Sequence, residues 1–221
     1  MKFLNDQKPQ TDLTYSDVFM VPSRSNVGSR MSVDLATADG TGTTIPLVVA
    51  NMTAVSGRRM AETVARRGGI AIIPQDIPAN IVAQTIRRVK ESHLVFDTPI
   101  TVQPHHTAGY VRNLLPKRAH GAVIVTDGEK PIGIITPKDL RGRDNFDQVQ
   151  DIMSTNLTTL PHTVTAREAF DELFEHSRKL APVVDTEGKL VGVLTRQGAL
   201  RASLYTPAVD AQNQLRIGAA I

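Results

Sequence analysis

Two segments of the chain carry side chains that could hold an anion at the start of a helix. Each has the pattern Gly-apolar-apolar-Thr, which ends at Thr136 in the first segment and at Thr195 in the second. Lys138 and Asp139 follow the first threonine and add an ammonium group and a carboxylate. A helix that began at either threonine would present unpaired N–H groups and a partial positive charge, which suit a phosphate. Alternatively, the threonines only cap helices and Asp139 supports a first turn.

The two segments belong to a longer repeat. An apolar stretch and a tight turn precede each of them, at residues 122–128 in the first copy and 181–188 in the second. Further upstream, residues 101–105 match residues 158–162. A single repetition at a spacing of roughly 60 residues indicates a duplicated supersecondary unit, because a solenoid needs at least three repeats.

These copies resemble CBS motifs, and two in tandem resemble the CBS pair that binds adenine or guanine nucleotides in many regulated proteins. In that family the Gly-apolar-apolar-Thr-x-x-Asp stretch ends a strand and opens a helix. Its Thr faces a phosphate and its Asp accepts hydrogen bonds from the ribose. The resemblance implies a regulatory site for ATP or GTP at Thr136, Lys138 and Asp139, with Lys138 as a counter-charge and Thr195 from the second copy. Gly198 stands where the second copy would need its Asp, so the first copy is predicted to be the main site.

Residues 45–92 have the pattern of two strand-helix units. Continuous apolar runs at 45–50 and 70–73 predict strands that are buried on both faces. Residues 215–221 have the pattern of another buried strand. Because two parallel strands cannot cover their own faces, these units must belong to a larger parallel sheet or barrel.

Three helices are predicted from residues that start or stop a helix. The first covers residues 58–67 and stops at the Gly68-Gly69 cap; the second runs from Pro78 to about residue 92. Thr165 and Glu168 have the spacing of a capping box, which starts the third helix. The apolar positions predicted to face inward on the first two are Met60, Ala61, Val64, Ala65, Ile81, Val82, Ile86 and Val89.

Further stretches carry a second resemblance. Residues 13–22 (LTYSDVFMVP) resemble the N-terminal signature of the IMP dehydrogenase / GMP reductase family. Residues 46–52 and 68–70 resemble its second barrel strand, the following helix and the third strand. Residues 215–220 resemble the strand on which the barrel resumes after an inserted CBS pair. The resemblance covers the whole of this chain, but it corresponds to only about the first half of a family member. The chain is therefore expected to be a piece of a longer protein.

The resemblance implies an α/β fold, a partial (β/α)8 TIM barrel interrupted by a tandem CBS (Bateman) domain. Residues 1–95 would form the N-terminal part of the barrel, residues 96–205 the regulatory CBS pair, and residues 206–221 the start of the resumed barrel. Such barrels hold their ligands at the C-terminal ends of the strands. By resemblance, Asn51 and Met52 would contribute to the pocket for a purine nucleoside monophosphate.

The family's chemistry uses a Cys nucleophile and a nicotinamide. The Cys attacks C2 of the purine while hydride passes to or from the cofactor, and this chain contains no Cys. No catalytic residue is therefore expected in it, and the chain alone is expected to be inactive. Ala50-Asn51-Met52 resembles the GMP reductase branch, which uses NADPH. Thr53 stands where both branches favour Asp, so IMP dehydrogenase remains as an alternative activity. The resemblance also implies a homo-oligomer, a tetramer or an octamer.

Composition limits the remaining function classes. The content of 41% hydrophobic and 21% charged residues is typical of a soluble globular protein. No apolar run approaches the roughly 18 residues that cross a bilayer, and no signal peptide begins the chain, so no membrane partner and a cytoplasmic location are predicted. Dispersed His residues and zero Cys predict no metal site. A net charge of +3 with 4% aromatics predicts no nucleic-acid partner. A free-standing nucleotide-sensing CBS protein and a dimerisation module remain as alternatives.

Overall fold

A computed structural model describes residues 3, 5, 9–118 and 120–221, without the side chain of residue 31. The chain divides into two compact units, residues 1–34 and 35–221. In the first unit, short 3-10 helices cover Tyr15–Asp17 and Arg30–Ser32. The Asp17 carboxylate accepts hydrogen bonds from the Thr14 N–H and hydroxyl at 2.8 and 2.7 Å, which fixes the start of the first helix.

The second unit has a mixed α/β architecture, as predicted. Its helices and strands are interspersed along the chain from residue 48 to residue 219. In order, they are β1 (Val48–Val49), α1 (Arg58–Ala65), β2 (Ile70–Ile73), α2 (Ala79–Lys90), β3 (Thr101–Val102), α3 (Ala108–Leu114), a 3-10 helix (Leu115–Lys117), β4 (Val123–Asp127), β5 (Lys130–Ile135), α4 (Val149–Ile152), β6 (Leu160–Pro161), α5 (Ala166–Glu175), β7 (Leu180–Val184), β8 (Leu190–Thr195), α6 (Arg196–Leu204) and β9 (Gly218–Ala219).

One sheet joins the two ends of the second unit. Its strand order is β1-β2-β9, and both pairs are parallel, with Val48 opposite Ile70 and Ile72 opposite Gly218. The predicted strand at 70–73 is confirmed. The prediction that 45–50 is buried on both faces is wrong, because β1 covers two residues at the sheet edge and Val48 is 61% exposed.

Helices α1 and α2 confirm the predicted ends more closely than the predicted faces. Gly68 has a positive φ of 95° and its N–H donates to the Ala65 carbonyl, so it terminates α1 as expected. Ala61, Ala65 and Val89 are buried against β2 and Leu215. Met60 and Ile81, which were expected to face inward, are exposed, whereas Glu62 is buried.

The repeated sequence forms two sheets of the same topology. In the orders β3-β4-β5 and β6-β7-β8, the first pair of strands is parallel and the second antiparallel. Each sheet has its own apolar core, one built around Val123, Val125 and Ile135 and the other around Val183 and Leu194. The predicted capping box is present, since the side chains of Thr165 and Glu168 bond to each other's backbone N–H.

The segments before the two repeats are exchanged between their sheets. Ser154, which precedes the second repeat, exchanges two backbone hydrogen bonds with Ile134 of β5. Asp97, which precedes the first repeat, exchanges two with Val193 of β8. Each repeat therefore extends the sheet of the other.

This exchange explains the repeated glycine of the Gly-apolar-apolar-Thr pattern. A Cβ atom on Gly133 would lie 2.4 Å from the Met153 sulfur, and a Cβ atom on Gly192 would lie 2.7 Å from the Phe96 Cβ. Both contacts are closer than carbon and sulfur atoms approach in packed proteins, so only glycine fits without movement.

We expect Gly192→Ala to lower the free energy of unfolding by about 1–3 kcal/mol, because the added methyl group overpacks the site beside buried Phe96. Thermal unfolding of the 221-residue chain checks this, because the melting temperature should fall by about 2–4 °C for each kcal/mol lost. Gly28→Ala is the control, since none of the non-adjacent atoms that the structure describes lies within 4 Å of its Cβ position. Equal melting temperatures for both variants would contradict the packing argument.

Within the described residues, the longest apolar helical stretch falls short of what is needed to cross a bilayer.

Candidate functional site

A cleft of about 2250 Å³ lies between the two repeats and α1. Thr136, Lys138, Asp139 and Thr195, the residues predicted to hold a nucleotide, all line it. Pockets for small ligands typically enclose roughly 300–1,000 Å³, so this is a large cleft with room for more than one group. The fold thus brings the ends of β5 and β8, far apart in sequence, to one wall.

Thr136 and Asp139 are bonded to each other. The Thr136 N–H and hydroxyl both donate to Asp139 Oδ2, at 2.8 and 2.7 Å, and the Asp139 N–H donates to the Thr136 carbonyl at 3.1 Å. The expected helix after Thr136 is absent, because residues 137–142 form consecutive turns. Asp139 Oδ1 accepts no hydrogen bond from the described part of the chain, and Lys138 is exposed. One carboxylate oxygen therefore holds the turn and the other is free to accept.

Thr195 does begin a helix. Its hydroxyl accepts a hydrogen bond from the Gly198 N–H at 2.8 Å and caps α6. A Cβ atom on Gly198 would lie 2.9 Å from that hydroxyl oxygen. Gly198, which replaces the Asp of the second copy, thus has no side chain that would crowd the capping hydroxyl of Thr195.

The wall of the cleft is strongly basic. Among the described residues that line it, ten are Arg or Lys and two, Asp97 and Asp139, are acidic. The basic residues come from α1 and from both repeats, for example Arg66, Arg118 and Arg201. A concave surface with this excess of one charge concentrates anions.

Two ion pairs tie α1 to the repeats. Glu62, which is 1% exposed, contacts Arg58 at 2.6 Å and Arg118 at 3.0 Å. Arg66 Nη1 donates to Asp97 Oδ1 at 3.0 Å, and Arg66 Nε donates to the His93 carbonyl at 2.8 Å. Burial lowers the pKa of Arg66, while Asp97 and Glu62 oppose that shift. An Arg remains charged despite such a shift, so this part of the wall stays cationic.

His120 also lines the cleft, and it does not add to this charge at neutral pH. Burial lowers the pKa of His120 from its ordinary value of 6.5, against the opposing effects of Asp97 and the Thr98 backbone. The imidazole therefore stays neutral at pH 7. The field in the cleft comes from its Arg and Lys side chains.

Asn51 and Met52 lie elsewhere, on the loop at the carboxyl end of β1. Both side chains are exposed, and neither is among the described residues that line the cleft. The Thr53 hydroxyl donates to Asp76 Oδ2 at 3.1 Å and links this loop to the one after β2. The two predicted substrate residues thus lie beside the cleft rather than among its described lining residues, which include the next residue of the same loop, Thr53.

A family model described as the IMP dehydrogenase / GMP reductase domain matches residues 12–221, nearly the whole chain. The chain belongs to this family. The resemblance seen at residues 13–22, 46–52, 68–70 and 215–220 is therefore confirmed.

Relatives within the family are similar along the full chain. GMP reductases of Mycobacterium tuberculosis and Mycobacterium bovis are 53% identical over 222 residues, which covers 100% of this chain and 46% of theirs. The IMP dehydrogenase of Halobacterium salinarum is 32% identical over 219 residues, or 95% of this chain and 44% of the relative. The chain spans about half the length of the curated relatives it matches.

Solved structures of the family have the same fold. The crystal structure of GMP reductase from Trypanosoma brucei in complex with guanosine 5'-triphosphate aligns with a TM-score of 0.67 at 27% identity. That alignment covers 96% of this chain and 53% of the other. A variant of the same trypanosomal protein in complex with guanosine 5'-monophosphate also has a TM-score of 0.67, with coverage of 96% and 47%.

The sequence patterns identified the residues at the strand ends and missed the ion pairs. Glu62 is flanked at i−4 and i+4 by Arg58 and Arg66, a spacing that could have indicated a charged row on α1. Its contact with Arg118 had no local signal, because 56 residues separate the two.

Proposed function

We propose that this chain is part of an NADPH-dependent GMP reductase, which converts GMP to IMP. The observation that carries the proposal is the 53% identity to mycobacterial GMP reductases along the full chain, against 32% to an IMP dehydrogenase. Ala50-Asn51-Met52, with its reductase-like pattern, supports the same branch. Asn51 and Met52 would contact the substrate nucleotide from the carboxyl end of β1. NADPH would supply the hydride when bound.

In this proposal residues 1–95 and 206–221 are parts of one (β/α)8 barrel, and residues 96–205 are a CBS pair inserted into it. The parallel order β1-β2-β9 supports this arrangement, because the strand after the repeats pairs directly with the strand before them. The alternative of a free-standing CBS protein does not account for the β1-β2-β9 sheet. A cytoplasmic homo-oligomer, tetramer or octamer, belongs to the same proposal.

The purified 221-residue chain is expected to show no turnover of GMP with NADPH or of IMP with NAD, since it contains no Cys to attack the purine. Absorbance of the reduced nicotinamide is the measurement. Turnover that increases in proportion to purified chain would contradict this expectation.

The same activity measurement on the polypeptide extended by the sequence encoded after Ile221 is the positive control. We expect the extended polypeptide to oxidise NADPH with GMP and to leave IMP and NAD unchanged. The opposite preference would favour an IMP dehydrogenase, and no activity with either pair would favour a nucleotide sensor without catalysis.

We further propose that the cleft binds ATP or GTP as a regulator. Its ribose would contact Asp139 Oδ1 and its phosphates would lie near Thr136, Lys138 and Thr195. The basic wall and the shared position of the four residues support this site. The trypanosomal relative in complex with guanosine triphosphate makes GTP a reasonable first ligand to test.

Asp139→Ala is expected to weaken nucleotide binding about ten- to hundredfold, because a hydrogen bond to a charged group contributes roughly 1.5–3 kcal/mol. Calorimetric titration of ATP, GTP and AMP measures it. Asp171→Ala is the matched control, since Asp171 is exposed on α5 and is not among the described residues that line the cleft. Lys138→Ala should affect triphosphates more than monophosphates and lose its effect at high salt. Equal binding by Asp139→Ala and the unmodified chain would contradict the assignment.

A further inference from the structure

One loop borders both of the places where the sequence predicts a nucleotide. Thr53 and Val55 line the cleft between the repeats and α1. Asn51 and Met52, the predicted substrate residues, come immediately before them in the chain. The cleft and the predicted substrate residues therefore share one short segment, residues 51–57, which we call the shared loop.

Backbone hydrogen bonds join the two halves of the shared loop. The Met52 carbonyl accepts from the Val55 N–H at 2.9 Å and from the Ser56 N–H at 2.8 Å. Ser56 is 1% exposed, so the end of the loop is packed into the fold. Because unpaired backbone groups are costly, these three residues keep their bonds when the loop moves. A displacement of the cleft side of the loop therefore displaces Met52.

Thr53 follows Met52 directly and also lines the cleft. Its hydroxyl donates to Asp76 Oδ2 at 3.1 Å, on the loop after β2. This bond fixes the orientation of the shared loop relative to the end of β2. A ligand that contacts Thr53 from the cleft thus acts on the bond that orients Met52.

The charge of the cleft gives the shared loop a reason to move when a ligand binds. Cations line the cleft on both sides, on residues 58–67 and on the two repeats. Without a bound anion they repel each other, whereas a polyphosphate between them attracts both sides. A nucleotide therefore binds a narrower cleft more tightly, and such a difference in affinity is what a ligand needs to shift a conformation. The shared loop leads directly into α1, so it moves with that side of the cleft.

We propose that Thr53 is a positioning residue through which a nucleotide in the cleft changes the affinity of the site at Asn51 and Met52. This role rests on the proposed function for its two ligands, the regulator and GMP, and adds how one acts on the other. Because such coupling is reciprocal, GMP changes the affinity for the regulator by the same factor.

Hydrogen exchange of the 221-residue chain tests how the shared loop responds to GTP. The N–H groups of Val55 and Ser56 are expected to exchange about three- to tenfold more slowly with saturating GTP, since a narrower cleft restrains their bonds to Met52. Residues 210–214, whose described members lie outside the cleft lining, are the internal control. Calorimetric titration shows separately whether GTP binds. No binding rejects the regulatory site itself, whereas binding without slower exchange rejects the role of the loop alone.

The extended polypeptide provides the coupling factor, which is the ratio of the dissociation constants for GMP without and with saturating GTP. In the unmodified protein we expect this factor to differ from one by at least about fivefold. Thr53→Val, which keeps the shape and loses the hydroxyl, is expected to bring the factor close to one, and Thr53→Ser to restore most of it. Thr163→Val is the matched control, at an exposed threonine outside the described lining of the cleft.

These variants separate positioning from packing. The role of Thr53 is overturned if Thr53→Val keeps the unmodified factor. It is also overturned if Thr53→Ser loses as much as Thr53→Val, since the bond to Asp76 is then not used. Asp139→Ala is expected to raise the GTP concentration that is needed and to leave the factor at saturation unchanged; a lower factor would place the coupling at Asp139 instead. If the extended polypeptide does not bind GMP, the proposed function fails and this role with it.

Discussion

Glu62→Ala is expected to lower the free energy of unfolding by about 3 kcal/mol, near the lower end of the range for breaking a buried ion pair. Glu62 is 1% exposed and is shared by Arg58 and Arg118, which are 31% and 17% exposed. Removing the carboxylate leaves two guanidinium groups without a counter-charge. Because both can still reach water, the cost falls short of that for a fully buried pair. Thermal unfolding followed by circular dichroism measures it.

The control for Glu62 is an ion pair of the same spacing on the surface. Asp171→Ala removes the exposed partner of Arg167 and is expected to cost less than about 1 kcal/mol. A double-mutant cycle with Arg118→Gln isolates the contact between α1 and the first repeat. An interaction energy near zero in that cycle would mean that this ion pair does not hold the two parts together.

The largest expected difference is between two fragments of the chain. Residues 96–205 should fold alone, because every buried residue of the two apolar cores of the repeats lies within that range. Residues 1–95 should not, because their core is completed by Leu215 and β2 loses its partner β9. The exposed apolar faces would favour association. Circular dichroism melting and size-exclusion chromatography of both fragments test this expectation.

The intact chain is the reference for these fragments. A soluble 1–95 fragment that melts cooperatively would contradict the view that this part needs residues 206–221. A 96–205 fragment without a cooperative transition would show that the contacts of Asp97 and Arg118 with α1 are required for the repeats to fold.

Local patterns were sufficient for much of the secondary structure. The strand at 70–73, the cap at Gly68 and the Thr165–Glu168 capping box depend on residues close together in sequence, and all are present. The repeated pattern likewise predicted two similar units, which fold as two sheets of one topology. These features are set by backbone geometry and by hydrogen bonds within a few residues.

Where the same patterns failed, contacts formed in the folded chain were decisive. Met60 and Ile81 have apolar side chains at helical spacing, yet they are exposed, since the buried face of a helix is the one that another element covers. The stretch after Thr136 turns instead of continuing as a helix while Asp139 bonds back to the threonine. From the sequence alone, that carboxylate could either support the turn or bind a ligand.

The candidate site shows the division most clearly. Residue types and spacing by themselves determined the family, the duplication and the threonines at the ends of β5 and β8. Only the tertiary structure decided that both threonines line one cleft. It also buried Glu62 against Arg118, a residue 56 positions away. Such contacts depend on how separate elements pack, and charged side chains carry no periodic signal that would reveal a distant partner.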